Sequence, residues 1–503
     1  MLFNSLSYLI FFPCVVFLYY ITPWQKVRNL LLLAASYYFY MCWDPRFILL
    51  MLGCTVITYF DAIFIDIAKR EEAAHVEQEK RHTGKATLYI TVTLVFMFSV
   101  LAWFKYANFL TESIVAIASS VGIPISIPKL NVALPVGISF FTFQSLSYDI
   151  DVYRGTTKAE KNFLRYALFV SFFPQLVAGP IERSNNLLKQ FEDKHAFRSE
   201  QVVRGMMLML WGFFMKIVIA DRVAVIVDQV YNYHTAYEGL IPMIATALFA
   251  IQIYCDFNGY TTIAIGSAEV MGFHLMKNFD QPYLSTSVAE FWRRWHISLT
   301  SWFRDYIYFP LGGSRCAKWK KYRNIMIVFL ISGLWHGANW TYVVWGGLNG
   351  VMQVIGDLLM PIRKKITAVL KVNPDAFGVQ LMKGILTFIL VDFAWTFFRA
   401  ATINEAFAII RSWFAVFNPW VLFDGTLYTL GLNMTDFWLM VLSILVLLGV
   451  DVMHARGISI RQSLLKQPVL VRWAVYYAAI LAILVFGVYG PGYNAANFIY
   501  FQF

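Results

Sequence analysis

Residues 324–350 read NIMIVFLISGLWHGANWTYVVWGGLNG, and they follow the basic residues Arg315, Lys318, Lys320, Lys321 and Arg323. A spanning helix needs about 20 mainly apolar residues, and this stretch supplies them without a single Lys, Arg, Asp or Glu. It reads as membrane-embedded chain entering from a basic edge. His336 lies thirteen residues beyond Arg323, which at 1.5 Å per helical residue is roughly 20 Å into a hydrocarbon core about 30 Å thick. An imidazole is therefore expected near mid-membrane. Ser332, Gly333, Gly337 and Ala338 around it are small, so a neighbouring backbone or a ligand can come close. Such a histidine either hydrogen-bonds helices together or, because it titrates near physiological pH, serves as a general base on a hydroxyl.

Similar apolar runs recur on both sides, at 3–22, 29–42, 46–67, 87–110, 131–150, 163–179, 203–229, 240–265, 324–357, 381–398, 436–454 and 469–490. The expected fold is an all-α multi-pass membrane protein with on the order of ten to twelve transmembrane or re-entrant segments. Composition agrees: of 503 residues, 59% are apolar, 18% aromatic and 14% charged. Soluble domains carry about 45–50% apolar and about 25% charged residues, so a soluble globule, a disordered chain and a disulfide-stapled secreted scaffold are excluded. The first residues lack the basic region and cleavage site of a signal peptide and read as the first span. No internal repeat or composition shift divides the chain, so 1–503 reads as one membrane domain with an aromatic tail at 491–503.

The net charge of +11 would raise the question of nucleic acid in a soluble protein. Here the cations gather in short loops: Lys26 and Arg28; Lys69, Arg70, Lys80, Arg81 and Lys85; Arg315 to Arg323; Arg363, Lys364 and Lys365; and Arg456, Arg461, Lys466 and Arg472. The positive-inside rule assigns these to the cytoplasm, and one more span then carries the C-terminus to the extracytoplasmic side. Membrane lipid, not nucleic acid, is the expected surroundings. The five cysteines form no CxxC pair, and neither a disulfide nor a metal site is read from them.

Ionisable groups at membrane depth are costly and mark candidate sites. In EFWRRWHISLTSWFRDYIYFP (290–310), Trp292, Trp295, Leu299, Trp302 and Tyr306 would share one face of a helix, and Arg293, His296, Thr300 and Arg304 another. This predicts one amphipathic helix, either an interfacial Trp belt or the cationic lining of a funnel for an anionic ligand. Asp256 and Asn258, and Glu182 with Arg183, are expected to pair with other buried groups or shape a re-entrant turn, and Gly179-Pro180 marks a helix break. No GxSxG, HExxH, Walker A or GxGxxG motif is present, so any catalysis falls to a membrane-embedded histidine. The closing FIYFQF, with Phe498, Tyr500, Phe501 and Phe503, reads as an interfacial anchor or as a segment able to enter a channel from outside.

Several stretches together resemble the membrane-bound O-acyltransferase family, in its branch of bacterial alginate O-acetylation proteins and peptidoglycan O-acetyltransferases. They are LLLLAASYYFY (30–40), PVGISFFTFQSLSYDIDVYRG (135–155), FFPQLVAGPIER (172–183), YCDFNGYTTIAIG (254–266), NFDQPYLSTSVAEFWRRWHISLTSWFRDYIYFPLGG (278–313) and LISGLWHGANWTYVVWG (330–346). The resemblance implies a ring of helices around a central funnel that admits an acyl thioester. It implies a deep catalytic base at His336, supported by His296, and an extracytoplasmic SGNH/GDSL-type partner that completes transfer to a polysaccharide. FIYFQF resembles a motif whose tyrosine receives the acyl group in related envelope systems, which makes Tyr500 the implied shuttle.

The resulting expectation is an acetyltransferase of the bacterial cytoplasmic membrane. It would use acetyl-CoA as donor and no bound cofactor, with Arg293, Arg294 and Arg304 attracting the CoA phosphates. The alternatives are a D-alanyl or other acyl transferase fed by a carrier-protein thioester, and a non-catalytic transporter or flippase. Against the last stand the absence of an inverted repeat and the presence of two histidines.

Overall fold

A computed structural model describes residues 1–77, 84–177, 179–489 and 498–499, and every regular element among them is helical. In hydrocarbon each backbone N–H and C=O must find its partner within its own segment, which an apolar helix achieves. Helix starts are set by short polar side chains: Ser5, Asn162, Ser287, Asn339, Thr402 and Asn433 each accept a hydrogen bond from a backbone N–H of the following first turn.

Seven helices among the described residues are long and apolar enough to cross a membrane, or eight if Trp340–Leu358 and Met360–Val369, bent by 45° at their junction, count as one broken span. The other predicted segments take different forms. Leu6–Ile21 and Phe163–Leu176 are shorter apolar helices. In Ile138–Arg154 every side chain from Ile138 to Asp149 is buried, so protein surrounds it and bilayer length does not constrain it. The run 324–357 is a hairpin: Lys318–His336 ends at Gly337 and Trp340–Leu358 begins after the Asn339 cap. Hydropathy alone merges these two helices, because the turn between them is only three residues long, Gly337 to Asn339, and carries no charge.

The chain groups into two compact units, Met1–Met206 with Ala264–Met276, and Met207–Ile263 with Lys277–Phe503. In the first, Phe47–Glu77, Lys85–Leu101 and Ile138–Arg154 pack against one another. Arg28, expected among loop cations, is buried there, and its guanidinium donates to the carbonyls of Thr22, Tyr20 and His195. Glu182 is also buried, but the side chain it accepts from, Asn186 Nδ2 at 2.7 Å, belongs to an exposed residue and not to the buried group expected. The helix preceding it ends at Leu176, so the chain at Gly179-Pro180 is non-helical as predicted.

In the second unit the hairpin helices pack closely on each other, and Phe377–Arg399 lies against Trp340–Leu358. Glycine permits the approach: a Cβ on Gly333 would stand 2.2 Å from the carbonyl oxygen of Tyr342. Asp256 lies within the unbroken helix Leu240–Met271, so it shapes no turn and instead pairs with Lys216.

Candidate active site

His336 is the last residue of Lys318–His336 and is 3% exposed. The helix stops there because Gly337 turns to extended backbone, where a Cβ would collide with the Tyr342 ring at 2.1 Å. The imidazole is walled by aromatics, with ring centroids at 5.0 Å to Trp335, 5.1 Å to Trp345 and 5.4 Å to Phe398. Trp345 in turn stacks on Trp395 at 5.5 Å.

The single amphipathic helix expected over 290–310 is not formed. Val288–Arg294 stops, Trp295 is extended, His296 takes φ 43° and ψ 54°, and Ile297–Phe303 starts afresh. The break is stable because a neighbouring segment takes up the backbone groups it frees. Asp280 N–H donates to the Arg294 carbonyl at 3.0 Å, and Ile297 N–H donates to the Asn278 carbonyl at 2.9 Å. Asn278 Oδ1 also accepts from Ser298 Oγ at 2.6 Å. A left-handed φ is unfavourable for a residue with a Cβ, and its occurrence at a buried polar side chain marks a position held by its surroundings.

The break separates the predicted stripe. His296 turns inward to 1% exposure, where its ring lies 4.7 Å from Phe257, 5.9 Å from Trp335 and 6.4 Å from His336, centroid to centroid. Trp292, Trp295 and Trp302 are buried with it, so they form core and not a headgroup belt.

Arg293, Thr300 and Arg304 instead line a cavity of about 750 Å³. Among the described residues six cations line it, Arg293, Arg304, Lys321, Arg363, Lys364 and Lys383, against one carboxylate, Asp357, which Lys321 already holds at 2.8 Å. Arg294 is not among its lining residues; its guanidinium is bound to Glu290 at 2.7 Å one helical turn back. The cavity wall includes Trp292, whose ring is 5.6 Å from Trp345, the same Trp345 that packs against His336. Tyr500 lies outside the described residues, while Phe498 and Ile499 before it are buried.

Sequence reading missed the aromatic box of Trp345, Trp395 and Phe398, which carries no local signal. It also passed over Lys216, although a lysine inside the apolar run 203–229 is a signal by the rule that singled out His336.

The model of the family described as "MBOAT, membrane-bound O-acyltransferase family" matches residues 86–380, which contain both histidines and five of the six cavity cations. The chain belongs to the membrane-bound O-acyltransferase family. Among its relatives, a protein named "Probable alginate O-acetylase" from Azotobacter vinelandii is 38% identical over 84% of this chain and 80% of its own length. A peptidoglycan O-acetyltransferase from Helicobacter pylori is 31% identical over 82% of this chain and 79% of its own. A teichoic acid D-alanyltransferase from Bacillus subtilis is 27% identical over 54% of this chain and 70% of its own. This membrane-bound O-acyltransferase is thus a multi-pass membrane enzyme, an acyltransferase, and the non-catalytic transporter reading falls.

Proposed function

We propose that this membrane-bound O-acyltransferase moves an acetyl group from a cytosolic thioester, acetyl-CoA, across the bacterial cytoplasmic membrane for O-acetylation of an envelope or secreted polysaccharide. The observation that carries the reading is the approach of two buried histidines, 6.4 Å apart, inside an aromatic enclosure. Acyl transfer from a thioester to a hydroxyl calls for a base and an oxyanion donor, and an imidazole can take a proton at one nitrogen and give it back. His336 takes the proton from the acceptor hydroxyl as its oxygen bonds to the thioester carbonyl carbon. The tetrahedral intermediate then collapses, the carbon–sulfur bond breaks, and the leaving thiolate recovers that proton from the His336 imidazolium. His296 supports the site by holding the acceptor or stabilising the oxyanion.

The cationic cavity supports acetyl-CoA as donor, because guanidinium forks match phosphate geometry and several phosphates can be met at once. Arg293 and Arg304, which line it, are assigned to it; Arg294, bound to Glu290 and not in the lining, is not. The acceptor on this chain is the Tyr500 hydroxyl, which then passes the acetyl group to an SGNH/GDSL-type partner on the extracytoplasmic side, where the C-terminus is expected. Names of relatives with alginate and peptidoglycan as acceptors favour a polysaccharide as the final substrate.

Purified protein offered acetyl-CoA and, separately, an acyl carrier-protein thioester tests the donor. Thiol release from acetyl-CoA, lost in His336→Ala, supports the reading. Release from the carrier thioester alone would replace it with the carrier-fed alternative, for which the likeness to a D-alanyltransferase speaks.

A further inference from the structure

The helix that touches His296 through Phe257 carries a charge on the residue before. Asp256 is 2% exposed, inside the apolar helix Leu240–Met271, and its Oδ1 lies 2.7 Å from Lys216 Nζ. Lys216, 1% exposed, also meets Asp221 Oδ1 at 2.8 Å. Glycines bring the two helices together: a Cβ on Gly212 would lie 2.6 Å from the Gly259 carbonyl oxygen, and one on Gly259 would lie 3.1 Å from the Lys216 nitrogen. Ion pairs inside an apolar helix are costly to bury, and a charge so placed is a candidate for some further task.

The second oxygen of Asp256 shows what that is. Oδ2 accepts the backbone N–H of Ile499 at 2.8 Å, and the preceding Phe498 is fully buried with its ring stacked 4.2 Å from Tyr260. Lys216 Nζ stands 5.9 Å from both of these rings, so the cation that neutralises Asp256 also faces the aromatic pair. A second attachment lies at the start of the tail. Lys216 belongs to the π-helical turn Phe214–Ala220, and within that turn the Ile217 carbonyl accepts the N–H of Val488 at 2.8 Å. A π turn changes the hydrogen-bond register of its helix and so can release a carbonyl for an outside donor.

The geometry points to a clamp: Lys216 and Asp256 are positioning residues that dock the C-terminal tail by its backbone, at Val488 through the π turn and at Ile499 through Asp256. The clamp binds main chain, so it requires an N–H at 499, to which the buried Ile499 side chain adds packing. It holds the tail on the same helix, one residue from Phe257, that packs on His296. Its consequence for transfer rests on the proposed role of Tyr500, the next residue in the sequence.

Hydrogen exchange of the full-length detergent-solubilised protein, read on peptides covering 487–503, tests the clamp. Ile499→Pro removes the N–H without touching the membrane helices, and Asp256→Ala removes the acceptor. Each is expected to speed exchange of the remaining tail amides about tenfold to a hundredfold, the worth of a charge-assisted hydrogen bond, with the 318–358 hairpin unchanged. Ile499→Ala keeps the N–H while trimming the buried side chain, and should retain much of the protection that Ile499→Pro loses. Unchanged tail exchange in Ile499→Pro overturns the clamp, whether or not Asp256→Ala folds, and so does faster exchange in Ile499→Ala equal to that in Ile499→Pro. Polymer acetylation separates this from the shuttle. Full activity in Tyr500→Phe with a released tail in Ile499→Pro keeps the clamp and removes the shuttle. An inactive Tyr500→Phe with unchanged exchange in Ile499→Pro does the reverse.

Discussion

The rings of His296 and His336, forty residues apart in the chain, lie with centroids 6.4 Å apart and interplanar angle 67°. One comes from a break between two short helices and the other from the end of a helix, so neither is a mid-helix residue. If His336 is the base, His336→Ala should lower polymer acetylation by about 10² to 10⁴ while circular dichroism and size exclusion remain those of the wild type. Near wild-type acetylation would remove the mechanism.

His296 adds a conformational constraint. Asn tolerates left-handed backbone better than most residues and keeps polar atoms, so His296→Asn should fold normally and retain part of the activity. His296→Val, β-branched at φ 43°, should lower thermal stability as well as activity. Equal melting temperatures for the two variants would argue against strain at this position.

The arginines divide by place: Arg293 and Arg304 line the cavity, Arg304 while also holding Asp305 at 2.9 Å, and Arg294 does not line it. Arg293→Ala and Arg304→Ala should each raise KM for acetyl-CoA by roughly tenfold, the scale of one charge-assisted hydrogen bond, with the wild-type KM itself rising with salt. Arg294→Ala, whose partner is Glu290, should leave KM within about twofold, since the residue does not line the cavity and a partly exposed i,i+4 pair contributes little. A larger KM change for Arg294→Ala than for Arg293→Ala would reverse the assignment.

Gly333→Ala should destabilise the protein by about 1–3 kcal/mol, because its new methyl meets the Tyr342 carbonyl oxygen and forces the hairpin apart. Gly356→Ala, in the same hairpin with nothing within 4 Å of its Cβ, should be neutral or stabilising. Thermal unfolding of the two variants side by side checks the contrast.

Topology follows from the basic loops. A single cysteine introduced within 69–85 or 315–323 should react with an impermeant maleimide only from the cytoplasm, and one near residue 493 only from outside. Reversed labelling would invert the path proposed for the acetyl group.

Much of this was readable in one dimension. Asp256 was expected to pair with a buried group and does, with Lys216, since a lone charge in an apolar run has few other options. Gly333 and Gly337 were expected to admit close neighbours and do. The number of spans was less legible, because hydropathy cannot distinguish a helix that faces lipid from one that protein surrounds, as with Ile138–Arg154, nor see a turn as short and uncharged as that of the 318–358 hairpin.

Composition and hydropathy by themselves determined that this chain is a helical membrane protein, because the bilayer demands internal backbone hydrogen bonding whatever the sequence detail. Its motifs likewise marked His296 and His336 as the residues to watch. Only tertiary structure decided which polar groups meet. The 3.6-residue period put His296 on a stripe with Arg293 and Arg304, yet the chain at Asn278–Asp280 satisfies the backbone of a broken helix and so sends the histidine inward and the arginines to a separate cavity. Hydrogen bonds supplied from a distant segment carry no local periodicity, and neither does the Asp256 carboxylate that receives the backbone of Ile499 from 243 residues away.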